Sequence, residues 1–305
     1  MSGAGGSGRD DLTLVAGATG VVGTGICAAL ARDGRRVRAL VRPTADAAKV
    51  GRLRGLGVEV VDGDLERPAT LRAALEGVSG VVTTASAFPV DPRPDAIERV
   101  DRVGSLNLVE AAATAGVRRF VYTSFREIPV DFAFQRAKRA VEERLGSSGL
   151  EYTILRPINF MEVWFSPMLG FDAAGGRVRV YGDGAAPLQW ISSGDVVEFA
   201  VWALEAEAAA CAKLDLGGPE ALSQLDVIAI FEELVGKPLA REHLPLAELE
   251  RQYTEAPGPL EQSLASVMLE VAYGGRIETA DLAAAAGIRL ATVREVAERL
   301  LAAAG

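Results

Sequence analysis

Short apolar runs alternate with amphipathic stretches over the first 125 residues. Leu12–Ala16 has strand character, and Thr24–Asp33 reads as a helix. Arg36–Arg42 alternates apolar and polar residues and stops before Pro43, as a strand does at an X-Pro step. Ala45–Leu56 predicts a short basic helix, Val58–Leu65 a third strand with its exit turn, and Thr70–Glu76 another helix. Gly80–Ser86 is apolar enough for a strand buried on both faces. A loop with Pro89, Pro92 and Pro94 leads into a helix from about Asp95 to Ala115, and Phe120–Ser124 is a fifth strand. This alternation predicts an α/β fold with a doubly wound parallel sheet and right-handed crossovers.

Beyond that point the pattern changes. Leu150–Pro157 is a sixth strand. Arg177–Tyr181 and Leu188–Ile191 read as two short strands around Gly182-Asp-Gly184. Ser192 or Ser193 caps a helix from Asp195 to Glu205, with Asp195 in its first turn suiting the macrodipole. Lys213–Gly217 is another strand and Ser223–Val235 an amphipathic helix. Residues 246–253, 260–273 and 279–304 read as three helices with acidic solvent faces. The expected organisation is a flexible tail (1–10), a dinucleotide-binding core (11–157) and a smaller, mostly helical substrate-binding or cap part (158–305). Within the last, 188–216 returns to the core.

The sharpest chemistry lies where the first strand meets the first helix. Gly17, Gly20 and Gly23 form G-x-x-G-x-x-G, with Thr19 and Val22 between them. Such a corner turns tightly at Gly17 and lets a pyrophosphate approach the backbone at Gly20. At Gly23 it packs helix against sheet, and the helix N-terminus faces the phosphates. A formal G-x-G-x-x-A at Gly23, Gly25 and Ala28 lies inside the helix and is rejected. Arg42 ends the second strand, 25 residues after Gly17, with no carboxylate beside it. An acid there would bind the ribose 2′-hydroxyl of NAD, whereas an arginine pairs with the 2′-phosphate of NADP. Asp64 and Leu65 are placed at the adenine end, and Ala85 under the cofactor's middle. In an open parallel sheet, ligands bind outside the carboxyl ends of the strands, where Gly17, Arg42, Asp64, Ala85 and Ser124 all fall.

The totals narrow the possibilities. The 305 residues are 49% hydrophobic with a net charge of −9, which supports a sizeable core and argues against nucleic acid or an anionic membrane as partner. No apolar run is long enough to span a bilayer, and the N-terminus lacks the apolar core of a signal peptide. Cys27 and Cys211 read as buried small hydrophobes in a reducing cytoplasm. The single histidine, His243, reads as a surface residue and excludes a His-rich metal site.

Taken together, Gly17-Ala-Thr-Gly-x-x-Gly23, Leu40-Val-Arg-Pro43, Asp62-Gly-Asp-Leu65, Leu155-Arg-Pro157 and Tyr181-Gly-Asp-Gly184 with Ile191-Ser-Ser-Gly-Asp195 resemble the NmrA-like, atypical short-chain dehydrogenase/reductases over roughly residues 11 to 240. The resemblance implies a Rossmann core and NAD(P), and Arg42 favours NADPH over NADH. It also implies a reductase of quinone, imine or phenylpropanoid type, or a cofactor-sensing regulator without turnover. A non-redox cyclase or isomerase on the same fold is a further alternative. Short-chain dehydrogenases carry Tyr-x-x-x-Lys, whose tyrosine donates the proton. This chain has Phe134-Gln-Arg-Ala-Lys138, and a phenyl ring has no proton to give. By this resemblance Lys138 anchors the nicotinamide ribose or donates the proton, Ser124 contacts substrate or nicotinamide, and Tyr122 is core. Pro157 turns the chain over the nicotinamide end. Phe88, Phe125, Phe134, Phe160 and Trp164 suit a small apolar, aromatic or quinonoid substrate. The expected protein is cytoplasmic, a monomer or homodimer.

Overall fold

The structure, a computed structural model, describes residues 11–304. The tail expected over residues 1–10 lies outside them. In chain order the elements are β1 (Leu12–Ala16), α1 (Val21–Arg32), β2 (Arg36–Val41), α2 (Ala47–Gly55), β3 (Glu59–Asp62), α3 (Leu71–Ala74), β4 (Val78–Thr83), α4 (Ser105–Ala115), β5 (Arg119–Thr123), α5 (Ala133–Gly146) and β6 (Glu151–Pro157). There follow α6 (Met161–Trp164), β7 (Phe171–Asp172), β8 (Arg177–Tyr181), β9 (Leu188–Gln189), α7 (Ser193–Ala203), β10 (Ala212–Leu216), β11 (Ala221–Leu222), α8 (Gln224–Val235), β12 (Ala240–Leu244), α9 (Leu246–Thr254), α10 (Pro259–Tyr273), α11 (Ala280–Ala286) and α12 (Val293–Ala304).

The seven-stranded sheet runs β10-β6-β5-β4-β1-β2-β3, and its pairings from β6 to β3 are parallel. This is the expected doubly wound Rossmann topology. The strand order reverses between β1 and β4, where Ala16 stands beside Thr83. All five residues of β1 are buried, as a central parallel strand covered on both faces must be. Leu14, Val81, Leu108, Phe120 and Ile154 are fully buried in the core around it.

The chain forms two compact units. One contains the described residues up to Ser124, with Ala137–Leu155 and Val197–Leu214. The other contains Phe125–Arg136, Arg156–Val196 and Asp215 onward. In the second unit β8 pairs with β7 and β12, while β9 pairs with β11. The two strands expected around Gly182-Asp-Gly184 therefore belong to different sheets. β12 escapes a sequence reading because Ala-Arg-Glu-His-Leu lacks an apolar alternation, and its first four residues are exposed, His243 among them. Asn159 adopts a left-handed φ of 43° and donates to Glu270 of α10 at 3.5 Å. Burial pushes the Glu270 carboxyl up to about 7, against the pull of Arg126.

Three expectations need correction. The helix expected over 279–304 is two helices, broken at the left-handed Gly287. The Asp195 side chain accepts from the Ala291 amide just before the second of them. The helix expected from Asp95 begins instead as π-helix, Ile97–Gly104, before α4. Cys27 is buried, its thiol pushed up to about 12, but Cys211 is exposed in a turn with φ 55°. Alanine flanks Cys211 on both sides, so a helix-like neighbourhood in sequence concealed a tight turn.

Candidate functional site

The glycine corner explains itself geometrically. Gly17 has φ +78°, and a Cβ there would lie 2.7 Å from the Ala85 amide nitrogen. A Cβ on Gly23 would collide with the Gly17 carbonyl. Strand and helix thus approach at a distance that only glycine permits. The Gly20 amide closes the turn on the Gly17 carbonyl at 3.0 Å, and the Thr24 hydroxyl donates to the Ala18 carbonyl at 2.8 Å. Gly20 is the N-cap of α1, and no side chain caps that end, so its leading amides carry the positive pole outward.

This corner opens on a cleft of about 270 Å³. Gly17, Thr19, Gly20, Arg42, Asp64, Leu65 and Ala85, all singled out from the sequence, line it. They come from the ends of β1, β2, β3 and β4. Val22, Gly23, Lys138 and Pro157 do not line it. Gly23 lies behind the turn, and Pro157 ends β6 in the second unit. The Asp64 carboxylate accepts from the Glu66 amide at 3.0 Å, shaping the turn after β3.

Several lining groups escaped the sequence reading. Lys49 stands on α2, whose N-cap Asp46 accepts from its amide. Glu66 and Asp91 share one guanidinium. Arg93 lies 2.8 Å from each, and Arg99 also reaches Glu66. The Arg93 hydrogen bonds hold both carboxyls below the usual range, and the nearby Arg42 charge adds to this at Asp91. Among the described residues no salt bridge joins the Arg42 guanidinium, which is exposed at the cleft. The basic helix after β2 was the readable signal for Lys49. The loop residues carried none.

The expected catalytic pair lies deeper. Lys138 is 2% exposed, with Nζ 3.4 Å from the Asp101 carboxylate and 5.1 Å from the Tyr122 ring centroid. Burial lowers its pKa, and Asp101 opposes the shift. Ser124 is 5% exposed and donates to Glu142 at 2.6 Å, beside Arg139. Tyr122 is fully buried, as expected of a core residue.

The aromatic residues separate. Phe125 packs edge-on against Phe132 and Phe134, at centroid distances of 6.0 and 5.6 Å. Trp164 instead packs on Tyr181 and Trp190. The space beside it, about 20 Å³, holds little more than one water. Phe160 is half-buried and bridges to Ile191. Phe88 is half-buried in the loop after β4, where its carbonyl accepts from Ser86. No group of metal-ligating residues occurs among the described residues, nor any helix long and apolar enough to cross a membrane.

Comparison with known proteins gives the family and the fold. The sequence profile of the NmrA-like family matches residues 9–291. The chain is 30% identical over 263 residues to an NAD(P)H azoreductase of Xenophilus azovorans, covering 85% of this chain and 86% of that one. It is 29% identical over 246 residues to the photosystem II assembly factor Ycf39 of Synechocystis sp., covering 77% and 71%. Among solved structures, the NADPH-dependent quinone oxidoreductase QOR2 of Escherichia coli, complexed with NADPH, superposes with a TM-score of 0.76 at 22% identity. That match covers 95% of this chain and 99% of the other.

Proposed function

We propose, from the premise that this chain belongs to the NmrA-like family, that it is an NADPH-dependent oxidoreductase reducing a small apolar, aromatic or quinonoid substrate. The observation that carries this reading is the cleft itself. A corner where Gly17 and Gly23 exclude any Cβ opens beside Arg42, which is exposed at the cleft and whose charge also reaches Asp91. Names of relatives add support: one is an NAD(P)H azoreductase, and one structural neighbour is an NADPH-dependent quinone oxidoreductase.

The residues have distinct tasks in this reading. Gly17, Thr19 and Gly20 line the corner where the pyrophosphate meets the positive pole of α1, and Val22 and Gly23 form the first turn of that helix behind them. Arg42, with Lys49 nearby, takes the 2′-phosphate as a charge-assisted contact. Asp64, Leu65 and Ala85 frame the adenosine and the cofactor's middle. The bound dinucleotide supplies the hydride, and the protein supplies position and electrostatics. Phe88, Phe125, Phe134 and Phe160 offer aromatic surface to the substrate, and Pro157 shapes the chain's exit from β6. The protein works in the cytoplasm as a monomer or homodimer.

A second reading has its own observation. Phe134 replaces the proton-donating tyrosine, Ser124 is committed to Glu142, and Lys138 is buried on Asp101. A protein that binds NADPH without turnover fits those facts, and the Ycf39 relative is named as an assembly factor. The test is direct. Purified protein is titrated with NADPH and NADH, then mixed with a panel of quinones, azo dyes and enones while the reduced nicotinamide absorbance is followed. Oxidation of NADPH with at least one acceptor is expected. Tight binding with no oxidation across the panel favours the second reading, and no binding of either nucleotide overturns both.

A further inference from the structure

Lys138 and Asp101 meet inside the first unit, their side chains 3% and 0% exposed. Asp101 sits in the π-helical stretch Ile97–Gly104. One of its carboxylate oxygens is 3.4 Å from Lys138 Nζ, and the other accepts from the Ala87 amide at 3.0 Å. Lys138 also donates to the Thr123 carbonyl, at the end of β5, at 3.4 Å. Ala87 belongs to the wall of the candidate cofactor cleft, and Val100, one residue before Asp101, lines the same cleft. The π-helical stretch is packed closely there as well. A Cβ on Gly104 would stand 2.9 Å from Leu65 Cβ, another lining residue. π-Helical turns are uncommon and are often found at functional sites.

The chemistry of burial says what this arrangement does. A buried ammonium or carboxylate at this depth is costly, and at 3.4 Å each charge offsets part of that cost for the other. The pair is therefore a single device. Its far end is fixed to β5 through Thr123, and its near end holds one main-chain donor of the loop that follows β4.

We propose that Asp101 and Lys138 act together as positioning residues that fix the 84–91 wall of the cofactor cleft, Lys138 working through Asp101. This rests on the reading of that cleft as an NADPH site. It differs from the role the sequence resemblance implies for Lys138, which is direct contact with the ribose or proton donation. The asymmetry of Asp101 is the reason. One oxygen faces the ammonium and the other faces the backbone of the cleft wall, so the lysine's charge is transmitted to a loop.

The test uses the full chain and the variants Asp101→Ala, Lys138→Met and their combination. Three quantities are read: the NADPH dissociation constant, the split between NADPH KM and kcat with a quinone acceptor, and hydrogen exchange of the peptide covering residues 84–91. Each single variant is expected to weaken NADPH binding by about tenfold or more and to speed exchange in that peptide. The loss should fall mainly on the NADPH KM. The double variant is expected to be no worse than the worse single one and to melt above Asp101→Ala, because the buried ammonium is removed together with its carboxylate. This comparison holds even if Asp101→Ala folds poorly. Additive losses in the double variant would overturn the proposal. So would Lys138→Met abolishing turnover at saturating NADPH while Asp101→Ala leaves binding and exchange unchanged. If the wild-type chain binds no NADPH, the cofactor reading fails, yet exchange at 84–91 still reports whether the pair braces that wall.

Discussion

The first unit carries two charged regions built on opposite principles. At the cleft, charge is exposed. Arg42 and Lys49 face solvent, and Arg93 bridges Glu66 and Asp91 across a polar rim. Beneath it, charge is buried. Lys138 meets Asp101, and Glu142 gathers Ser124 and Arg139, with the exposed Lys213 3.8 Å away. In the cleft the cations stay exposed and keep part of their field available to an anionic ligand, although Arg93 is held by Glu66 and Asp91 and Arg42 also acts on Asp91. In the buried region the cations are held by carboxylates, helped at Lys138 by the Thr123 carbonyl and the Tyr122 ring. The same residue types thus bind a ligand in one place and hold the fold in the other.

Four experiments test that contrast, the largest effect first. Glu142→Ala removes the carboxylate beside Arg139, which is a quarter exposed, and the acceptor of the Ser124 hydroxyl. A loss of about 3 kcal/mol in urea unfolding is expected, the scale for breaking a buried charge pair from one side. A loss below about 1 kcal/mol would make this a surface-like pair.

Arg42→Ala is expected to leave stability unchanged and weaken NADPH binding about 10- to 100-fold, the range of a charge-assisted contact at 1.5–3 kcal/mol. NADH binding should hold steady. Equal losses for both nucleotides would remove Arg42 from the 2′-phosphate.

Glu270 supplies a buried carboxyl in the second unit, with no strong cation upon it. Its folded value of about 7 lies above the ordinary 4.5. Folding therefore favours the neutral acid. That contribution is complete below about 4.5, declines as pH rises, and is gone above about 7. Glu270→Gln, always neutral, should match wild type at low pH and exceed it in alkaline buffer by roughly 3 kcal/mol. Denaturant midpoints at both pH values decide this. A constant difference between the two proteins would mean that Glu270 does not titrate there.

Arg93→Ala breaks the rim bridges to Glu66 and Asp91. A stability change of about 0.5–1 kcal/mol that fades in high salt is expected, as for partly exposed ion pairs. A salt-independent loss would place this network with the buried class.

Residue patterns make clear how far the sequence reaches. Ile97, Asp101, Gly104, Ser105 and Leu108 fall at helical spacing on one buried face, as do Phe134, Ala137, Lys138, Val141, Glu142 and Leu145. Asp101, Lys138 and Glu142 each set a charge in such a stripe, and a buried charge needs a partner. Which charge meets which was not legible, since Asp101 and Lys138 are 37 positions apart in the chain. Lys138 read as a cofactor residue because spacing fixes its place on a helix, not the depth to which that helix sinks it. The aromatic cluster around Trp164 misled for the same reason, because composition does not separate a filled core from a pocket.

The sequence alone determined what depends on neighbours along the chain. It fixed the alternation of strand and helix, the glycine corner, the arginine at the end of the second strand and the family. These follow from backbone sterics and side-chain periodicity, both local. Tertiary structure decided the pairing of Asp101 with Lys138, the commitment of Ser124 to Glu142, the separate sheets of the second unit and the exposure of Cys211. Each of these depends on burial and on the approach of distant segments, which no local pattern encodes.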